Sequence, residues 1–348
     1  MAFNERLRSP KEKPLFALAV LFSTVAWLGA IVGTLGIGLI YILFFGGFVL
    51  VAHAVFLAVV RGNGVRVSRQ QLPALYARCE AVALRLGLER MPEVYLMQHG
   101  GVLNAFATKL LSRRFVIIYS ELADACADPR QLDFVIGHEM GHLGAGHLAW
   151  LAYLMPFRAL PWLGPAYSRA CEYTCDRCGL ATVDALEPAV RGLVVLAAGG
   201  RLAQEVNLEA FARQRLESGR FWMATAELCM SHPYLCKRVA ALQELTAPGT
   251  LPMVKRNPLA YPLAPLLGFS AVGGSPVLLL VLVGFLIALP QLRKFTEQAE
   301  ARQQQLRHRL EAQQRQMQQQ QQRLQPRDSD AEDDDDAPPP PRPARPRR

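Results

Sequence analysis

Val135-Ile136-Gly137-His138-Glu139-Met140-Gly141-His142-Leu143 sets two histidines four residues apart, which on a helix share one face and can hold one zinc ion. Glu139, between them, then points toward water carried by the metal, so that zinc supplies the acid and Glu139 the base. A bare His-Glu-x-x-His arises by chance in many chains. Here the flanks are uncharged and the helix is apolar, unlike a solvent-facing helix. A dry wall strengthens the hold of zinc on its water and lowers that water's pKa toward about 7.

A catalytic zinc needs three protein ligands and one open position. The next candidate stands in Ser168-Arg169-Ala170-Cys171-Glu172-Tyr173-Thr174-Cys175-Asp176, thirty residues past His142. On a helix Glu172 and Asp176 share a face, so Glu172 could bind zinc while Asp176 orients a histidine ligand from behind. Taken alone, an ordinary charged helix face is the better reading of that pair. Cys171, Cys175 and Cys178 fit one helical face and suit small buried residues better than a second metal. His147, five residues past His142, sits off the ligand face of a continued helix and reads as a packing or surface residue.

Around these motifs, 69–251 has globular composition. An amphipathic helix carries Leu72, Leu75, Tyr76, Cys79, Val82, Ala83 and Leu86 and ends near Gly87. Strands are predicted over 93–97, 104–107 and 115–119, the last rich in β-branched and aromatic residues. Helices are predicted over 129–150, 168–184, 188–217 and 233–245. Seven cysteines, an odd count, argue against a disulfide framework and for a reducing compartment.

Upstream, 15–60 carries no charged residue, and His53 is its one strongly polar side chain. A membrane helix needs about 20 apolar residues, so this length suits two spans turning within 29–38. His53 reads as an interhelical hydrogen-bonding group. The apolar run is too long for a cleaved leader. Arg6, Arg8, Lys11 and Lys13 before it, and Arg61, Arg66 and Arg69 after it, favour the cytoplasmic side for both flanks. A second uncharged run, 261–289, holds one clean span, 276–292, and leaves open whether its Pro-rich first half makes another. The net charge of +9 is scattered without a basic-aromatic stripe, which argues against nucleic acid as a partner. The Gln-rich segment 293–325 reads as a solvated helix, and the acidic, then Pro/Arg-rich, end 326–348 as disordered.

The chain resembles the HtpX-like and CAAX prenyl endopeptidase-like membrane zinc metallopeptidases. Four separated motifs carry the resemblance: Asn104-Ala105-Phe106-Ala107; His138 to His142; Glu172 with Asp176; and His232-Pro233 followed by Arg238. The resemblance implies Glu172 as third ligand to one Zn2+ per chain and the 104–107 segment as an edge strand pairing with an extended peptide substrate. It also implies a catalytic His232 that stabilises the oxyanion, and Arg238 as a brace for Asp176 or the His232 loop. HtpX-type members carry two further spans between the histidines and the glutamate. Here 148–167 contains Pro156, Arg158, Pro161 and Pro165, too short and broken for that, and is expected to lie against the membrane or roof the cleft.

The expected fold is α+β: a mainly helical zincin-like core with a small sheet, plus transmembrane helices. The expected organisation is a basic segment 1–14, a transmembrane hairpin 15–60, a zinc metallopeptidase domain 61–255, a C-terminal membrane region 256–292 of one or two spans, then the two tail segments. The expected activity is endoproteolysis of protein or peptide substrates, in membrane-protein quality control or processing. The setting is a bacterial inner membrane, with the catalytic domain on the cytoplasmic side and the Gln-rich segment as a protein-partner site. The alternatives are a membrane scaffold with a vestigial zinc site and a prenyl-peptide processing protease.

Overall fold

The computed structural model describes residues 3–264, with further helical positions at 302–305, 312, 315 and 317. The predicted spans beyond 264 and the tail lie outside these residues, apart from those positions. The uncharged run folds as two helices, α1 (Glu12–Gly33) and α2 (Ile37–Asn63), each long and apolar enough to cross a membrane. They reverse at Thr34–Gly36, where Leu35 and Gly36 take left-handed backbone (φ 51° and 86°). Thr34 Oγ1 closes the turn by accepting from Gly38 N at 2.8 Å. Outward side chains such as Val25, Leu28, Phe44 and Phe48 are exposed, whereas Ala19 and Ser23 of α1 are fully buried against the rest of the chain.

A four-stranded mixed sheet follows, from β1 (Val65–Arg66), β2 (Glu93–Met97), β3 (Ala105–Leu110) and β4 (Arg113–Tyr119), in the order β1-β2-β4-β3. Between β1 and β2 runs α3 (Pro73–Arg85). β4 pairs parallel with β2 and antiparallel with β3, so β3 is a sheet edge. Phe115 to Ile118 are all buried, because both faces of β4 are covered. Val116 and Ile118 pack toward α3 and the histidine-bearing helix, while Phe115 and Ile117 pack on Leu57 and Val60 at the end of α2.

The helical part comprises α4 (Ser120–Ala125), α5 (Pro129–Gly144), α6 (Met155–Arg158), α7 (Leu163–Ala181), α8 (Leu186–Ala198), α9 (Gly200–Ala203), α10 (Leu208–Arg213), α11 (Phe221–Cys229) and α12 (Leu235–Thr246). α5 starts on an N-cap from Asp128, whose Oδ1 accepts from Arg130 N. Its core side chains Phe134, Ile136 and Met140 are buried within 1% of complete. α5 packs tightly on α7, and the contact requires glycine. A Cβ on Gly137 would fall 2.5 Å from Thr182 Oγ1, and one on Gly141 would fall 2.8 Å from Cys178 Cβ.

Four expectations change. The helix predicted over 129–150 ends at Gly144, because the chain turns through Gly146 in left-handed backbone (φ 81°). The helix predicted over 188–217 is broken after Ala198 by Gly199, with φ 76°. The 148–167 segment does not roof the cleft: Leu154 and Phe157 bury against Ala19 of α1 and Tyr167 of α7, and Trp27 Nε1 donates to Tyr153 O at 2.8 Å. His53 also differs, since its Nε2 lies 3.1 Å from Thr108 Oγ1 of β3 rather than bonding the neighbouring membrane helix.

Candidate active site

α5 and α7 bring His138, His142 and Glu172 to one point. His138 Nε2 lies 3.4 Å from Glu172 Oε2, and His142 Nε2 lies 3.4 Å from Glu172 Oε1. Glu172 Oε2 is buried without a hydrogen-bond partner. A buried anionic oxygen left unbonded and facing two imidazole nitrogens is costly unless a cation occupies the space, and this donor set suits zinc. Burial alone would raise the pKa of Glu172; His138, His142 and Arg238 outweigh it and hold the group well below the ordinary carboxylate range. Cys175 also stands within 4.8 Å of both histidines. Its thiol, however, lies on the Nδ1 side, 3.6 Å from His147 Nδ1, and burial pushes its pKa well above the ordinary value, so Glu172 is the better donor.

Behind this face sits a second buried layer. Asp176 Oδ1 lies 3.0 Å from His138 Nδ1 and fixes that ring with its Nε2 toward Glu172. Arg238 of α12 donates to both Asp176 oxygens, from Nε at 2.9 Å and from Nη2 at 2.6 Å. Its Nη1 stands 3.5 Å from Glu172 Oε2. The arginine therefore braces Asp176, and it compensates two buried carboxylates at once.

Glu139 is buried, and burial raises its pKa, with His138 and His142 pulling the other way. The backbone N–H of Ala107 pulls in the same lowering direction, so the unpaired edge of β3 faces the carboxylate. Asn104 and Ala105 line the cavity that opens here, of about 700 Å³. Phe106 points to the other side of the sheet, its ring 6.1 Å from that of Phe56 in α2. His232 stands at the mouth with its side chain 62% exposed and its Nε2 3.4 Å from Glu172 Oε1, within reach of both the pocket and an incoming chain. The cavity continues inward between Phe134, Leu193, Leu196, Phe211 and Met223, all apolar.

Sequence reasoning passed over His147. Its backbone N–H donates to His142 O at 3.1 Å in the turn after α5, which carries the ring beneath His142, with Nδ1 to Nδ1 at 3.1 Å. The signal was the Gly144-Ala145-Gly146 break, which removes the helical phase on which the off-face placement depended.

A helix-borne histidine pair and a carboxylate from a second helix make a donor set that could hold a metal, with a buried glutamate beside it. The Peptidase family M48 model matches residues 69–160 and 150–246, together just over half of the chain. The chain belongs to that family. It is 28% identical over 170 residues to the Plastoglobule-localized metallopeptidase 48, chloroplastic, of Arabidopsis thaliana, covering 44% of this chain and 48% of that protein. It is also 28% identical over 152 residues to the Protease HtpX homolog of Streptococcus mutans, covering 41% and 50%. The chain thus spans about half the length of the curated relatives it matches. No solved structure matches it significantly.

Proposed function

We propose that the chain is a membrane-anchored, zinc-dependent endopeptidase. The observation that carries this reading is the convergence of His138, His142 and the unbonded oxygen of Glu172, with Glu139 buried beside them. His138, His142 and Glu172 hold one zinc ion, which when bound supplies Lewis acidity toward a carbonyl and toward water. Glu139 takes the proton from the attacking water and passes it to the leaving amine. His232, exposed at the mouth, donates a hydrogen bond to the oxyanion. Backbone groups on the open edge of β3 from Asn104 to Ala107 hold an extended substrate chain with little side-chain discrimination.

Residues 61–255 form the catalytic domain, and 15–60 the anchor. The basic flanks of the hairpin set that domain on the cytoplasmic side of a bacterial inner membrane. The printed names of the relatives, a protease and a metallopeptidase, support the reaction type. Membrane-protein quality control or processing is the role that follows for a protease anchored in the bilayer.

The test is metal content beside proteolysis. Detergent-purified full-length chain should carry one zinc and cleave unfolded casein; a chelator should abolish cleavage, and one equivalent of zinc should restore it. A chain without zinc, or with cleavage untouched by chelation, would sink the reading. The apolar cavity adds a specificity prediction, since a buried apolar subsite favours large apolar side chains by about 1–3 kcal/mol per misfit. Leu196→Glu, at a partly buried lining position, should raise KM for peptides with leucine or phenylalanine beside the cleaved bond by at least about tenfold. Unchanged peptide profiles would place the substrate elsewhere.

A further inference from the structure

The basic segment that precedes α1 is folded over the back of the metal site. Phe3 covers Gly144, Arg8 Nη2 donates to Ala145 O at 2.9 Å, and Ser9 N donates to Thr174 Oγ1 at 2.8 Å. At the end of this strap Glu12, the first residue of the first apolar helix, is buried to 2% exposure. Its Oε1 lies 3.2 Å from His147 Nε2, and His147 Nδ1 lies 3.1 Å from His142 Nδ1. Arg8 and Thr174 also bond its carboxylate.

We propose that Glu12 and His147 are positioning residues for the metal ligand His142: a carboxylate from the membrane anchor sets the tautomer of His147, and His147 sets that of His142. A carboxylate only accepts, so His147 must carry its proton on Nε2. A second proton, on Nδ1, would face His142 Nδ1 and force that ring to carry its own proton on Nε2, the side of Glu172, leaving no lone pair there for a metal. His147 Nδ1 is then an acceptor, and His142 must carry its proton on Nδ1. That leaves the lone pair of His142 Nε2 free on the side facing Glu172, 3.4 Å away. Cys175 Sγ approaches the same His147 nitrogen at 3.6 Å, farther away and through a weaker sulfur contact. His138 receives the same service directly from Asp176, so each histidine ligand is oriented, one by a carboxylate and one by a carboxylate acting through an imidazole.

Glu12, His147 and Cys171 are close enough to hold an ion of their own. A second metal is the weaker reading: Arg8 already places a cation on Glu12, Thr174 takes its other oxygen, and burial raises the pKa of the Cys171 thiol. The relay rests on the zinc reading of His142, and its test separates the two.

In isotope-labelled histidine NMR of the full chain in detergent, His147 should be a neutral Nε2–H tautomer and His142 an Nδ1–H tautomer. The opposite tautomer at His147 overturns the relay without any variant. In cobalt-loaded protein, Glu12→Gln and His147→Phe should each weaken metal binding about 10- to 100-fold and shift the visible cobalt bands. Phe3→Ala, which loosens the strap but leaves the relay, should bind cobalt as wild type does. His147→Phe keeps the Arg8 and Thr174 ties of Glu12, so wild-type affinity and bands in that variant reduce Glu12 to a clamp and overturn the proposal. Wild type that takes up no metal overturns the zinc reading and the relay with it, whereas two ions per chain overturns the relay alone.

Discussion

Glu139→Gln should lower the rate of casein cleavage by about 10²- to 10⁴-fold while the protein still carries its zinc. The amide has nearly the volume of the carboxylate and keeps an acceptor oxygen, so the buried neighbourhood of α5 and β3 is kept. What it loses is the ability to take a proton from water and return it to the amine. Burial of the native carboxylate raises its pKa from the ordinary value, in the direction a base working near neutral pH requires. Metal content and initial cleavage rates, measured side by side for both proteins, check the prediction. Cleavage retained within threefold would remove Glu139 from the reaction, and loss of zinc would make it part of the metal's cage.

The second large effect is on stability. Arg238 is buried to 6% exposure among Asp176, Glu172 and Glu139, and it is the arginine whose donors reach the first two. Replacing it with methionine would leave three carboxylates in one dry pocket. Breaking a buried pair by removing one partner costs about 3–5 kcal/mol. Arg238→Met should therefore lower unfolding stability of the metal-free protein by that amount, and adding Asp176→Asn should recover part of it, because the two share their bonds. Denaturant unfolding of the single and double variants decides the matter. A loss under about 1 kcal/mol, within the range of exposed ion pairs, would show that the pocket rearranges to solvate Asp176.

Much of the frame was legible because it is written in local periodicity. The bounding Pro92 and Gly100 define the predicted strand 93–97, which is β2 residue for residue. The uncharged run yields two helices with their turn at Thr34–Gly36, inside the predicted window. Helix ends were less legible. Nothing in the composition of 145–150 stops a helix except Gly146, and a glycine inside an apolar pattern is ambiguous until its backbone is seen. The site divides in the same way. His138, Glu139 and His142 are neighbours on one helix and can be read together, whereas Glu172 with Asp176 rose above an ordinary charged helix face only through the family resemblance. Glu12 meets His147 across 135 residues of chain, and no spacing rule reaches that far. Its one clue was an acid at the mouth of a long apolar helix.

Gly137 and Gly141 have a consequence for how the centre is filled. They let α5 and α7 touch backbone to side chain, so the spacing between the two histidines and Glu172 is set by steric contact between the helices. Small zinc modules are unfolded until the ion gathers their ligands, and metal loading there is a folding reaction. Here the packing of α5 on α7 sets the positions of His138, His142 and Glu172. An ion taken up at this centre would enter a frame held by its own helices, so a chelator should leave the helical circular dichroism of the protein unchanged.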